Sequence, residues 1–240
     1  MNQTSILTIS LPQLLLAFTL VIPVLIVLYR WKLQSGRAVY ALGRMLMQLL
    51  LVGYLLAFIF EQYNLLIICS VIAVMIVSAS WIALGPVEQN RYSLYGPAFI
   101  AIVIPGLFSL VLITQGVLAL EPWYEPRYVI PLAGMVFANA MNSVSLAAER
   151  MQAELTRTTD YLQSRTIAFQ ASIIPTVNSL FAVGLVSLPG MMTGQILSGV
   201  SPLIAARYQI VVMCMIFGSA GLASALFLIL GKKHFQSGNG

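Results

Sequence analysis

The chain is 240 residues long, with hydrophobic side chains at 60% of its positions and charged ones at only 8%. Soluble domains carry charge at roughly a quarter of their positions, so a soluble fold is excluded and one integral membrane domain over residues 1–240 is expected. The net charge of +5 does not by itself point to nucleic acid, because where the cations fall decides what they mean.

A helix needs ~20 apolar residues to cross a hydrocarbon core of ~30 Å. Seven stretches meet that requirement. The first runs from Leu11 to Tyr29 and is ended by Arg30-Trp31-Lys32, with no positive region before it that would mark a cleavable signal. The second, Val39 to Phe60, carries Arg44 and Gln48. After the short break Glu61-Gln62-Tyr63 comes the third, Asn64 to Leu84, stopped by Gly85-Pro86. A polar loop over Glu88 to Tyr95 leads to the fourth, Ala98 to Leu118, which has Pro105-Gly106 near its middle. The fifth, Tyr128 to Ala147, holds Asn139 and Asn142. The sixth, Pro175 to Ser198, holds a Pro-Gly pair, and the seventh, Ala205 to Leu230, ends at Lys232-Lys233. The expected fold is therefore an all-helical membrane protein of about seven spans.

Lysine and arginine set the orientation. With the N-terminus outside and the C-terminus inside, Arg30, Lys32, Arg37, Arg44, Arg91, Arg150, Arg157, Arg165, Lys232 and Lys233 all fall on the cytoplasmic side. Only Arg127 and Arg207 fall outside. Losing one span would scramble that segregation.

The longest segment between spans, Ala148 to Ile174, lies on the cytoplasmic side in this arrangement. Met151, Leu155, Leu162 and Phe169 recur at helical spacing, and Asp160 and Arg165 belong to the polar side. Asp160 and Gln163 have capping-box spacing, so one helix should end near Thr158 and a second, amphipathic one should run from Asp160 to before Pro175. Such a helix either lies on lipid headgroups or docks a cytosolic partner. Met151, Leu155, Asp160, Leu162, Arg165 and Phe169 are the candidate docking residues.

Motifs for soluble chemistry are missing from the chain. There is no Gly-x-x-x-x-Gly-Lys-Ser/Thr loop, so ATP is not bound by that route, and no His-Glu-x-x-His or Ser/His/Asp set. Cys69 and Cys214 sit in apolar runs, which predicts buried thiols rather than a disulfide. The one histidine, His234, is in the polar tail. Neither enzymatic activity nor a cofactor is expected.

What remains are polar groups in costly places. Arg44 and Gln48 share a face of the second span, and Asn139 and Asn142 share a face of the fifth. Arg44 can snorkel to the headgroups; Gln48 sits deeper and either bonds another helix or lines a path. In the sixth span, Ser187, Pro189, Gly190, Met191, Met192, Gly194 and Gln195 combine a helix break with a Gly-x-x-x-Gly spacing that lets two backbones approach closely. A break at membrane depth is tolerated only where it is buried in protein or lines a wet cavity. Gln48, Asn139, Ser187, Met191 and Gln195 are the foremost candidates to line or gate a path, and metal ligation by the methionines stays open.

Three segments together carry a resemblance. They are Arg44 with Gln48-Leu49 and Gly53; Gly134-Met135 through Asn139-Ala140-Met141; and Ile174-Pro175-Thr176-Val177-Asn178-Ser179 through Gln195, followed by Ser201-Pro202 and Arg207-Tyr208-Gln209. This pattern resembles the FetB-type permease of bacterial iron-export ABC transporters, whose plant relatives are aluminium-tolerance membrane proteins. The resemblance implies a permease of the bacterial inner membrane, a homodimer working with a separate ATP-binding-cassette ATPase, and outward movement of iron or another metal cation. The plant relatives are associated with a nucleotide sugar instead. In one place the chain departs from the pattern: the Leu-Ala-Leu-Gly-Ala-like element before the sixth span, where such permeases engage their ATPase, is missing. An ATP-independent channel or carrier, or a non-transporting structural or regulatory subunit, are the alternatives.

Overall fold

The computed structural model describes residues 9–61, 64–87, 91–158 and 160–237, and among these it is all-helical. The chain divides into two compact units, Met1–Gln62 and Tyr63–Gly240.

In the first unit, α1 (Leu11–Phe18) and α2 (Val21–Arg30) are parted only by a turn at Thr19-Leu20. Pro12 sits in the first turn of α1, where its missing N–H costs nothing, and the Gln13 side chain accepts the Ser10 N–H at 2.8 Å. Arg30 ends α2, and the chain turns at Lys32 into α3 (Ser35–Glu61), on which α2 packs. No residue of α1 or α2 is buried, as suits helices whose solvent is lipid.

The second unit is a bundle built around one central helix. α4 (Leu65–Ala83) is started by Asn64, whose side chain accepts the Leu66 N–H at 2.9 Å. α5 (Arg91–Val111) continues as a π-helical turn over Leu112–Val117. Then come α6 (Pro126–Leu155), α7 (Tyr161–Ala182), α8 (Gly190–Leu197), α9 (Pro202–Leu230) and the short α10 (Lys232–Ser237). α6 is the hub, packing on α4, α5, α7 and α9. Ala133, Val136, Phe137, Ala140, Val144, Ala147, Ala148 and Met151, spaced by three or four, are buried along its length. A Cβ on Gly106 would lie 2.5 Å from the Phe137 ring, so glycine is what lets α5 approach α6 here.

Several expectations change. The polar loop before the fourth span is shorter than its sequence suggests, because Arg91 to Tyr95 are already helical; Glu88, Gln89 and Asn90 lie outside the described residues. Arg91 explains the early start. Its guanidinium stacks on the Trp81 ring at 3.8 Å and donates to the Trp81 carbonyl at 2.7 Å, tying the start of α5 to the end of α4. Of the break at Glu61-Gln62-Tyr63, Glu61 is helical and the other two residues lie outside the described ones. Both cysteines are free and exposed, not buried. In a bundle meant for lipid, an apolar run does not imply an inward-facing side chain.

The largest difference concerns the sixth span. Among the described residues, six helices are long and apolar enough to cross a membrane, and the stretch Pro175–Ser198 is not among them. The helix expected to stop before Pro175 runs through it to Ala182. At 22 residues α7 is ~33 Å long, enough to cross a bilayer, but it is too polar to count as apolar. Its start meets the end of α9, where the Tyr161 hydroxyl donates to the Leu228 carbonyl, so the two helices run antiparallel.

Candidate substrate cavity

The chain breaks after Ala182, and the break has defined geometry. Val183 is extended, and Gly184 takes φ +82°, a conformation that costs other residues a clash with their own Cβ. The Ala182 carbonyl accepts the N–H groups of Leu185, Val186 and Ser187 at 3.2, 2.8 and 3.1 Å, and the Gly184 N–H donates to the Ser187 carbonyl at 3.0 Å. The polar backbone is thus satisfied locally, which a break at membrane depth requires. Pro189 then caps α8 rather than ending a helix; its extended backbone opens the first turn at Gly190. α8 closes at Gly199, with φ +89°: the Gly199 N–H bonds the Ile196 carbonyl and the Val200 N–H bonds the Gln195 carbonyl, both at 3.0 Å, a Schellman closure.

Beside this break lies a cavity of ≈ 350 Å³. From α6 come Met135, Asn139, Asn142, Ser143 and Leu146; from α7 come Ser172, Pro175, Thr176 and Ser179. The break and α8 give Val183, Ser187, Pro189, Gly190 and Met191, and α9 gives Gln209, Val212, Met213 and Ile216. On each helix the spacing is three or four, which puts these side chains on a single face. Among the described residues, no charged one lines the cavity. Among the described residues, no group of three or more His, Cys, Asp or Glu side chains could hold a metal ion.

The internal bonding of the wall is directional. Asn139 Nδ2 donates to the Met135 carbonyl at 2.8 Å. Ser143 Oγ donates across to the Ser172 carbonyl at 3.3 Å, joining α6 to α7. Ser172 Oγ donates to Phe169 at 2.7 Å and Ser179 Oγ to Pro175 at 2.9 Å, both to carbonyls of their own helix. Gln209 is 5% exposed, and its Oε1 is buried without a hydrogen-bond partner.

Six of the path candidates therefore come together: Asn139, Asn142, Ser187, Pro189, Gly190 and Met191. Met192, Gly194 and Gln195 lie on α8 but not in the cavity wall, and a Cβ on Gly190 or Gly194 would meet nothing within 4 Å, so their spacing brings no second backbone close within this chain. Gln195 Oε1 is buried without a partner. Arg44 and Gln48 are exposed on α3, in the first unit. Sequence reasoning did not single out Gln209, Ser143, Ser172, Thr176 and Ser179 as path residues. Their signal was a helical spacing of polar residues, Ser172-Thr176-Ser179, of the same kind as Asn139 and Asn142.

The docking candidates fare unevenly. Asp160 caps α7, accepting the Leu162 and Gln163 N–H groups at 2.9 and 3.3 Å, as its spacing predicts; its own N–H goes to Thr158, not to Gln163. Thr159 lies outside the described residues. Leu162 is exposed and Leu155 half-buried, while Arg165 and Phe169 border an apolar groove with Ala225, Leu228 and Ile229 of α9. Met151 is fully buried and is no part of a docking surface, because it continues the inward stripe of α6.

Comparisons with known proteins agree with this architecture. The family model described as "Uncharacterised protein family (UPF0014)" matches residues 11–236. A UPF0014 membrane protein of Synechocystis sp. (strain PCC 6803) is 36% identical over 84% of this chain and 84% of its own length. The "Probable iron export permease protein FetB" of Escherichia coli (strain K12) is 32% identical, covering 94% of this chain and 92% of that protein. "Protein ALUMINUM SENSITIVE 3" of Arabidopsis thaliana is 34% identical over 87% and 81%. No solved structure matches. The chain is a multi-pass membrane protein belonging to the UPF0014 family.

Proposed function

We propose that this chain is the permease subunit of an exporter that moves iron or a related metal cation out of the cytoplasm. It is an inner-membrane protein, N-out and C-in, that forms a homodimer and is energised by a separate ATP-binding-cassette ATPase. The observation that carries this reading is the polar cavity beside a broken helix, which gathers Asn139, Asn142, Ser187 and Met191 within an otherwise apolar bundle. Uncompensated polar groups at membrane depth are costly and mark pathways. The likeness to the protein described as a probable iron export permease supports the cargo class, and the ATPase partner rests on the motif resemblance alone.

Inside-out vesicles containing the chain and its copurifying partners test this. ATP should drive metal uptake, and Asn139→Leu, Ser187→Ala and Met191→Ala should each lower flux while membrane insertion persists. Unchanged flux in all three would sink the reading. The short connection between α6 and α7, from the end of one at Leu155 to the start of the other at Tyr161, favours one alternative, an ATP-independent carrier or channel. Metal flux without any copurifying ATPase would establish that alternative, and absence of both flux and ATPase would leave a structural subunit.

A further inference from the structure

We propose that the cavity takes its cation with the water shell intact, recognising the shell and not the bare ion; this rests on the cation-export reading above. Among the described residues the wall carries no carboxylate, thiolate or imidazole, so a dehydrated divalent ion would meet no opposite charge from them. Stripping its water there would leave a buried charge uncompensated, which is prohibitively costly. A hydrated ion avoids that step, because hard cations give up their water reluctantly.

The direction of the hydrogen bonds turns part of the wall into acceptors, while Asn142, Thr176 and Ser187 keep amide or hydroxyl donors beside them. Ser143, Ser172 and Ser179 have each committed their only O–H to a backbone carbonyl, so toward a ligand they present lone pairs alone. Asn139 has committed one amide hydrogen to Met135. Gln209 adds an amide oxygen that is buried and unpaired, at a position 5% exposed. A buried acceptor of this kind calls for a donor. An aquo cation is a sphere of outward O–H donors. With six waters at ~2.1 Å from the metal it is about 7 Å across and about 180 Å³ in volume. The ≈ 350 Å³ cavity admits it. Phosphate-bearing solutes fit poorly, since no lysine or arginine lines the wall to pair with them.

The test uses the full chain in phosphatidylcholine nanodiscs and Mn²⁺ as probe, with free ion read from its electron paramagnetic resonance lines. Hexaamminecobalt(III), whose ligands do not exchange, imitates the water shell but cannot coordinate protein atoms directly. It should displace Mn²⁺ at concentrations near those at which Mn²⁺ itself binds. Gln209→Leu and Asn139→Leu should each weaken both ions by roughly tenfold, as removal of an acceptor from a charge-assisted hydrogen bond does. Mn²⁺ binding that hexaamminecobalt(III) leaves untouched would overturn the intact-shell proposal and leave the cation reading standing. Failure of Mn²⁺ to bind at all, or binding of mannitol in its place, would overturn the cation reading and this proposal with it. The competition on the unsubstituted protein decides the matter even if a variant misfolds.

Discussion

α6 and α7 line the same cavity with similar polar faces, yet one runs unbroken for 30 residues and the other stops at Ala182. Proline does not separate them: Pro131 lies inside α6, Pro175 inside α7, and Pro97 and Pro105 inside α5. Burial does. α6 packs against four neighbours and has buried residues from Pro126 to Glu154. In α7 the last buried residue is Ser172, and near its end Phe181 is 77% exposed. Where tertiary packing holds a helix, a missing N–H is tolerated; where packing runs out, the local preferences of Gly184 and Pro189 decide the path. The broken partner is accordingly the one with freedom to move.

Removing the proline from α7 is the strongest way to break this comparison. Pro175 leaves the Ala171 carbonyl without its usual donor, and interior proline costs ~3 kcal/mol in a helix. Pro175→Ala should therefore raise resistance to unfolding by up to that amount in detergent titrations, while metal flux falls because Pro175 lines the cavity. Lower stability would mean that the neighbours are fitted to the proline ring. The next effect is smaller and depends on position alone. Gly184→Ala should lose about 1–2 kcal/mol because of its φ of +82°. Gly194→Ala, inside α8 with open space around it, should gain roughly 0.5–1 kcal/mol. If thermal melts of the two variants shift the same way, backbone strain is not what places the break.

Much of this was legible in the sequence. Hydropathy located six spans, four of them to within a few residues of their ends, while the fourth starts earlier at Arg91 and the fifth runs on to Leu155; Asp160 marked the start of α7 because a carboxylate before an apolar run has N–H groups to satisfy. Asn139 and Asn142 announced a polar face, and the cavity lies on it. The break was seen but misplaced. Pro189-Gly190 read as the break within a span, whereas the helix already ends at Ala182 and Pro189 opens the next one, and only packing distinguishes these two uses of proline. Gln209 was read as part of the family-like motif and not as a path residue, because a single amide in an apolar run looks like any interhelical bond until its oxygen proves to be buried without one. Met151 was misread for the converse reason, since helical spacing gives a stripe but not the side from which it is covered.

The comparison predicts one more asymmetry, at the opposite end of α7. Its start is fastened where its finish is loose: the Tyr161 hydroxyl donates to the Leu228 carbonyl, one of the last four of α9, which lack partners within a regular helix. Tyr161→Phe should cost about 1 kcal/mol, the worth of one buried hydrogen bond, read by unfolding titrations at neutral pH. A variant as stable as the parent would show that α7 is held at its start by packing alone, which would make its two ends differ in burial and not in bonding.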